Sequence, residues 1–344
     1  RYQRPAPGGG RQGGPMFYLR DGVGSPLLAV WFSLACLPAT LAGGGMVQSG
    51  SIAASLHGAF GWSSLAIGLG TAAAAGMILT GGLGRIARVS QALVPAMALL
   101  YLGGGALVLL LRWQQVPQAL SLMFRCALTP EAALGGGLGW TAAEALRHGV
   151  ARGVFTNEAG LGTSAMAHGA AEVDHPARQG MWGIFEVFFA TLLTCTLTAL
   201  VILVGGVYQP ETVLAHLRQG TLPDWALGVP LTARSFSAVL GEAGAWIVWI
   251  SLLLFAFSSI LGWSYYGQQS LRFLTGGDRL LPLYRAVFLG CVVLGACGNS
   301  AGLWQLVDLC NALMAIPNLL ALLLLAPQAL RLLQQWVQQQ NTPV

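Results

Sequence analysis

Eight stretches of this chain are apolar over roughly the length of a bilayer crossing, and that repetition limits the fold more than any other feature. A helix needs about 20 consecutive, mostly apolar residues to cross the hydrocarbon core. Segments of this kind run near 26–56, 62–82, 90–112, 141–169, 181–206, 244–271, 283–298 and 303–327, with 283–298 the shortest. Backbone N–H and C=O groups find no water there, so only helices and closed barrels cross. Barrel strands alternate apolar and polar residues over about ten positions, and these segments do not. The expected fold is an all-α polytopic membrane protein with eight spans. Composition agrees: 8% of the residues are charged and 55% are hydrophobic, where a soluble domain carries roughly 25% charge.

The same composition excludes several functions. All 17 basic residues are arginine, and the net charge is +5. They are spread among the loops, with no basic run interleaved with aromatics, so nucleic acid is not an expected partner. Cys36, Cys126, Cys195, Cys291, Cys297 and Cys310 form no CxxC pair and no Cys/His cluster. They read as small packing residues with free thiols. His57, His148, His168, His175 and His216 show no metal-ligand spacing. No Ser-His pair or paired carboxylates share a membrane face, so the chain is not expected to be an enzyme.

Arginine placement orients the chain. With residues 1–25 as a cytoplasmic loop, the inner side holds Arg1, Arg4, Arg11, Arg20, Arg85, Arg88, Arg178, Arg272, Arg279, Arg285 and Arg331. The outer side holds Arg112, Arg125, Arg147, Arg218 and Arg234, and Arg152 falls within a span. This is the positive-inside bias. The expected organisation is a cytoplasmic loop at 1–25, a transmembrane core at 26–327 and a cytoplasmic tail at 328–344. Residues 207–243 lie outside in this topology, and they suit either a lid over an entrance or a connector.

The span at 149–169 reads GVARGVFTNEAGLGTSAMAHG. It places Arg152, Asn157 and Glu158 at membrane depth, where an ionised group costs roughly 2.5 to 3.5 kcal/mol by insertion scales. It also holds Gly149, Gly153, Gly160 and Gly162, and each glycine weakens a helix by about 1 kcal/mol relative to alanine. Charge tolerated beside clustered glycine points to a helix broken near the midplane. Freed backbone groups and half-helix ends there can bind a carboxylate or a cation.

The string GVARGVFTNEAGLGTSAMAHGAAEVDHPARQG resembles the signature of the alanine or glycine:cation symporter family, with Thr156 where that family usually has serine. Four other strings are similar in the same order: GGPMFYL at Gly13–Leu19, GGLGRIARVSQALVPAMALLYLGG at Gly81–Gly104, FAFSSILGWSYYGQQ at Phe255–Gln269 and LWQLVDLCNALMAIPNLLALLLL at Leu303–Leu325. The matches cover nearly the whole chain. The resemblance implies a LeuT-like fold of two inverted five-helix repeats, in which the broken span is the sixth core helix and the chain supplies core helices three to ten. It implies that helices one and two, with the Gly-Thr-Gly-Asn motif of the first, are not in this chain. It also implies a bacterial inner (cytoplasmic) membrane location.

The resemblance further implies roles. Phe155, Thr156 and Asn157 are candidate substrate contacts, an amide and open backbone for the zwitterion with a phenyl ring limiting side-chain size. Asn157 as a helix cap within the break is the competing reading. Gln48 follows Gly43–Gly45 and joins the substrate set; GGGMVQSGS stands here where the family has GNMVQSNS, so two asparagines are replaced by glycine. Ser258 and Ser259, with the Phe255 carbonyl, are candidate sodium ligands, against ordinary serine back-bonding. Trp263 is a candidate pocket wall, while Tyr265 and Tyr266 read as an interfacial aromatic belt. Glu158 reads as a partner of Arg152 or of backbone groups, and Asp308 as a structural acid that pairs with an arginine or caps a helix. His168 and His175 read as cytoplasmic loop residues, Glu186 and Gln179 as interfacial. The function implied is sodium-coupled symport of alanine or glycine, with sodium co-transported. The alternatives are a non-transporting truncated symporter and an amino-acid sensor.

Overall fold

The computed structural model describes residues 1–6, 10–128, 142–209, 216, 219, 221, 228–298 and 301–341. Two short strands, β1 (Arg4–Pro5) and β2 (Arg11–Gln12), pair antiparallel. Twelve helices are used below: α1 (Pro15–Asp21), α2 (Pro26–Phe60), α3 (Ser64–Leu79), α4 (Gly82–Leu111), α5 (Val116–Leu128), α6 (Ala142–Asn157), α7 (Ser164–His168), α8 (Pro176–Val204), α9 (Gly228–Leu240), α10 (Glu242–Thr275), α11 (Leu281–Cys297) and α12 (Ala301–Asn341).

Five of them, α2, α4, α8, α10 and α12, are long and apolar enough to cross a membrane. The expectation of eight spans narrows accordingly. The fourth expected span is divided into α6 and α7. The second and seventh are α3 and α11, of 16 and 17 residues. At 1.5 Å per residue these reach about 25 Å, short of a full hydrocarbon core. They pack on each other and on α2. A methyl on Gly68 of α3 would sit 2.7 Å from Ala296 of α11, so glycine there permits the close approach.

The ends of the chain differ from the expected loop and tail. Residues 1–25 hold the β1–β2 pair and α1, whose Met16 and Leu19 are fully buried. Helix α12 continues past residue 327 to Asn341. Outside the bundle, large apolar side chains stand exposed, among them Leu27, Leu99, Leu110 and Leu323. On a soluble protein such a belt would drive aggregation; against lipid tails it is the favourable surface.

Helix α2 changes pitch within itself. Pro38 removes a backbone donor, and a missing N–H loosens the ladder one turn back. From Thr40 to Val47 the bonding is π-helical. The Thr40 hydroxyl donates to the Leu37 carbonyl at 2.7 Å and meets the Tyr284 hydroxyl at 2.9 Å. Wide π turns inside α-helices are frequent at functional sites, and this one carries Gly43–Gly45.

At the arginine-rich end, Asp21 accepts from Arg20 at 2.8 Å and from Arg4 at 2.9 Å, which ties β1 to α1. The hydrogen bond from Arg20 first, and then that from Arg4, holds its carboxyl down to about 2. A depressed acid contributes stability above its unfolded value, near 3.9, and loses it as pH falls through the folded one. Amide protection at β1 and β2, exchange relative to an unstructured peptide at the same pH, is therefore expected to hold at about pH 5 and to fall between about pH 4 and pH 2. Asp21→Asn should show low protection throughout that range.

Candidate functional site

The break between α6 and α7 is built from its own sequence. Helix α6 ends at Asn157, and Glu158 adopts φ 54, the one positive φ among the described non-glycine residues. A left-handed non-glycine residue costs of order 1–3 kcal/mol and persists only where its surroundings fix it. The Glu158 N–H still reaches the Val154 carbonyl at 3.1 Å, and the Gly162 N–H returns to the Glu158 carbonyl at 2.9 Å. Gly162 has φ 85, which glycine adopts without penalty.

Two carbonyls freed by the break are taken up from outside it. Asn318 of α12, fully buried, donates from Nδ2 to the carbonyls of Ala159 and Gly160 at 3.1 and 2.9 Å. Its Oδ1 accepts from the Tyr18 hydroxyl of α1. The two acceptors fix the amide orientation, because only the NH2 end can serve both. Nothing in the sequence singled out Asn318. The signal available was an amide inside an apolar span, which must find partners there.

The Asn157 side chain accepts from the Ala159 N–H at 3.1 Å, so it caps the break. The Thr156 hydroxyl back-bonds to the Arg152 carbonyl at 2.8 Å. Glu158 does not pair with Arg152: its Oε2 accepts from the Thr163 hydroxyl at 2.9 Å, and Tyr266 and Trp263 also approach it. Arg152 points the other way and forms an ion pair with Asp308 of α12. The reason is geometric. Glu158 lies past the break, where the left-handed turn carries its side chain away from the α6 face that holds Arg152.

Thr156, Asn157 and Glu158 line a cavity of about 720 Å³. Its other walls come from α4 (Leu83 to Val94), α8 (Glu186, Val187, Ala190) and α10 (Ser258, Ser259, Gly262, Trp263, Tyr265, Tyr266). These parts of α4, α8 and α10 lie toward the arginine-rich end of the bundle. Glu158 and Glu186 are its charged lining groups, and both are acids. Ser258 and Ser259 therefore line the same cavity as the break. The Ser258 hydroxyl donates to the Phe255 carbonyl at 2.9 Å, which is the back-bonding geometry and also brings two hard oxygens together.

The cavity does not gather every expected residue. Gln48 and Phe155 do not line it; Phe155 lies behind its wall. Phe255 turns its ring toward Tyr101 at 6.1 Å. Tyr265, 5% exposed, and the cavity-lining Tyr266 face inward, so they are not an interfacial belt. His168 ends α7 and meets Glu186 at 2.9 Å and Gln179 at 2.8 Å, which ties α7 to α8. His175 caps α8 through Nδ1 to the Ala177 N–H at 3.2 Å. Among the described residues, no group of three or more metal-ligating side chains is present.

Phe155 instead belongs to an aromatic layer. Its ring lies 5.9 Å from Trp263 and 5.9 Å from Trp304. Gly43 and Gly44 of the π turn form the floor of this layer. A methyl on Gly43 would sit 3.3 Å from Val307 and 3.9 Å from Phe155, and one on Gly44 would overlap the Trp263 Cβ. Beyond the layer, at the opposite end of the bundle, lies a recess of about 660 Å³ lined by Ser51, Ser55, Pro230, Arg234, Trp249 and Trp304, among others.

A multi-pass membrane protein with a discontinuous helix between cavities at opposite ends has the construction of a secondary transporter. The chain belongs to the sodium:alanine symporter family, whose model matches residues 1–343. It is 34% identical over 330 residues to the sodium/alanine symporter AgcS of Methanococcus maripaludis, covering 95% of this chain and 69% of that protein. It is 36% identical over 315 residues to the uncharacterized transporter YflA of Bacillus subtilis, covering 91% and 64%. It is 33% identical over 335 residues to the "Probable sodium/glutamine symporter GlnT" of the same organism, covering 96% and 66%. The chain thus spans less than two thirds of the length of YflA.

Proposed function

We propose that the protein containing this chain is a sodium-coupled symporter of small neutral amino acids, alanine and glycine, in the bacterial cytoplasmic membrane. The observation that carries this reading is the placement of Ser258 and Ser259 in one cavity with the broken helix. A cation needs hard oxygens, and the Phe255 carbonyl with the Ser258 and Ser259 hydroxyls supplies them. The acidic lining, Glu158 and Glu186, favours cation entry. An amino-acid zwitterion would sit against Thr156 and Asn157, with Trp263, backed by Phe155, limiting its side chain. The near contact of Gly44 with Trp263 leaves little room there, which favours alanine and glycine over the glutamine in the description of GlnT.

In this reading the architecture is a LeuT-like core of eight membrane-crossing segments, with α6 and α7 as one broken crossing. The arginine-rich end is cytoplasmic, as are the segments at 1–25 and 328–344, and 207–243 lies outside as a lid. Within that segment, 210–215, 217–218, 220 and 222–227 lie outside the described residues, and its last part is α9.

Uptake of labelled alanine and glycine by a transport-deficient host expressing the complete reading frame tests the proposal. Uptake that requires sodium is expected; no sodium-dependent uptake of either amino acid would overturn it. Ser259→Ala should raise the sodium concentration for half-maximal uptake by about tenfold, the effect of losing roughly 1.4 kcal/mol of cation binding. Half-maximal alanine at saturating sodium should change much less.

A further inference from the structure

The two cavities approach the same layer from opposite ends. The 720 Å³ cavity stops at Trp263, and the 660 Å³ recess stops at Trp304. Phe155 stands between these two rings, 5.9 Å from each. Three rings from three helices, α6, α10 and α12, therefore separate the compartments.

Only part of this layer is held by packing alone. Trp263 is 3% exposed and seated against the glycine floor. Trp304 lies near the start of α12 at the edge of the recess, half-buried; it packs on the Ala42, Val47 and Val307 cluster and is otherwise held by charge. The Arg152 guanidinium stacks over its ring at 4.8 Å. Arg152 in turn pairs with Asp308, one turn along α12 from Trp304. So one side chain of α6 grips α12 twice, by an ion pair and by a cation–π contact. The Arg152 and Asp308 side chains are 40% and 42% exposed, so the grip is reachable rather than locked in a core. Parting α6 from α12 would break both contacts at once and lift Trp304 from Phe155. The packed side at Trp263 would be unaffected.

We infer that Trp304, latched by the Arg152–Asp308 pair, is the outer gate of the transport path, closed in this structure. The inference rests on the proposed transport function and on the cytoplasmic placement of the arginine-rich end. It assigns to Arg152 and Asp308 a positioning role: they touch the gate, not the substrate.

Accessibility of a thiol at position 156, just beneath Phe155 on the 720 Å³ side, tests it without any transport measurement. A membrane-impermeant, cationic thiol reagent is applied to intact cells and to inverted vesicles carrying the complete reading frame with T156C. The parent lacking T156C supplies the background from native cysteines. With the latch intact, position 156 should react from inverted vesicles and slowly from intact cells. R152Q and D308N should each speed the reaction from intact cells by about tenfold or more, as a latched equilibrium shifts. The swap R152D/D308R should restore slow labelling, and W304A should speed it with the ion pair left in place. Should a single-charge variant fail to insert, the swap and W304A still decide the matter. Unchanged labelling from intact cells in R152Q, D308N and W304A, with labelling from inverted vesicles retained, would overturn the gate. Fast labelling of T156C from intact cells with the latch intact would do the same. If the accessibility pattern holds and sodium-dependent alanine uptake does not, the gate stands and the substrate assignment falls.

Discussion

Gly44→Ala is expected to reduce sodium-dependent uptake by about tenfold or more and to destabilise the protein by about 1–3 kcal/mol, the usual cost of overpacking. A methyl at position 44 overlaps the Trp263 Cβ, with Cγ at 2.7 Å. The Cβ is fixed to the α10 backbone and cannot rotate away. Helix α2 would have to withdraw from α10, and the ring layer above the π turn would lose its floor. A diagnostic follows from the atom involved. Trp263→Ala keeps the Cβ, so the double variant should not recover stability, whereas an overlap with the indole alone would be relieved. Gly43→Ala meets the two methyls of Val307 at 3.3 and 3.5 Å, which need give way by only a few tenths of an ångström, and should be tolerated within about threefold in uptake, or under 1 kcal/mol. Gly70→Ala meets nothing within 4 Å and serves as the neutral control. Uptake and thermal unfolding of the purified protein measure the series.

Asn318→Ala should be the most destabilising polar substitution in the bundle. It strands the carbonyls of Ala159 and Gly160 and the hydroxyl of Tyr18. A buried polar group without a partner costs about 1–3 kcal/mol, so the expected loss is about 3 kcal/mol or more, read as a fall in the unfolding midpoint. Tyr18→Phe removes one of the three bonds and should cost about 1 kcal/mol. Asn318→Asp retains the acceptor for Tyr18 but turns oxygen toward both carbonyls. It should resemble the alanine variant more than the wild type. A small effect of Asn318→Ala would mean that water or a neighbour supports the break instead.

The two sites differ in how far the sequence announced them. Clustered glycine beside Asn157 and Glu158 marks the break directly, because no stable membrane helix carries that combination unpartnered. Gly43–Gly45 were legible as an oddity, but their use was not. It depends on which helix lies across from them, and the distance from Gly44 to Trp263 in sequence gives no hint of contact. Asn318 was silent for the same reason. Its partners are 159 and 158 positions away along the chain. Sequence proximity offers Glu158 as a partner for Arg152 but carries no direction; the expected pairing of Asp308 with an arginine is the one that forms, and that arginine is Arg152. The left-handed turn at Glu158 sets the direction, and a turn of this kind at a non-glycine residue cannot be read from composition.

Tyr265 and Tyr266 show the limit from another side. Tyrosine near the end of an apolar span fits a belt at the lipid headgroups and fits a cavity wall equally well. Hydropathy is the same in both places. Only the packing of α10 against its neighbours sends these rings inward.

By itself the sequence determined the class of the protein, the five long apolar helices among its expected spans and the place where a helix breaks. Those are consequences of transfer free energy and backbone hydrogen bonding, which act residue by residue and leave a local trace. The tertiary structure alone decided that Arg152 holds Asp308 and Trp304, that Asn318 satisfies the broken turn, and that Glu158 faces a cavity. Those are pairwise choices among helices equally at home in lipid. They are settled by shape and by the few polar groups that must find one another, which no single span encodes.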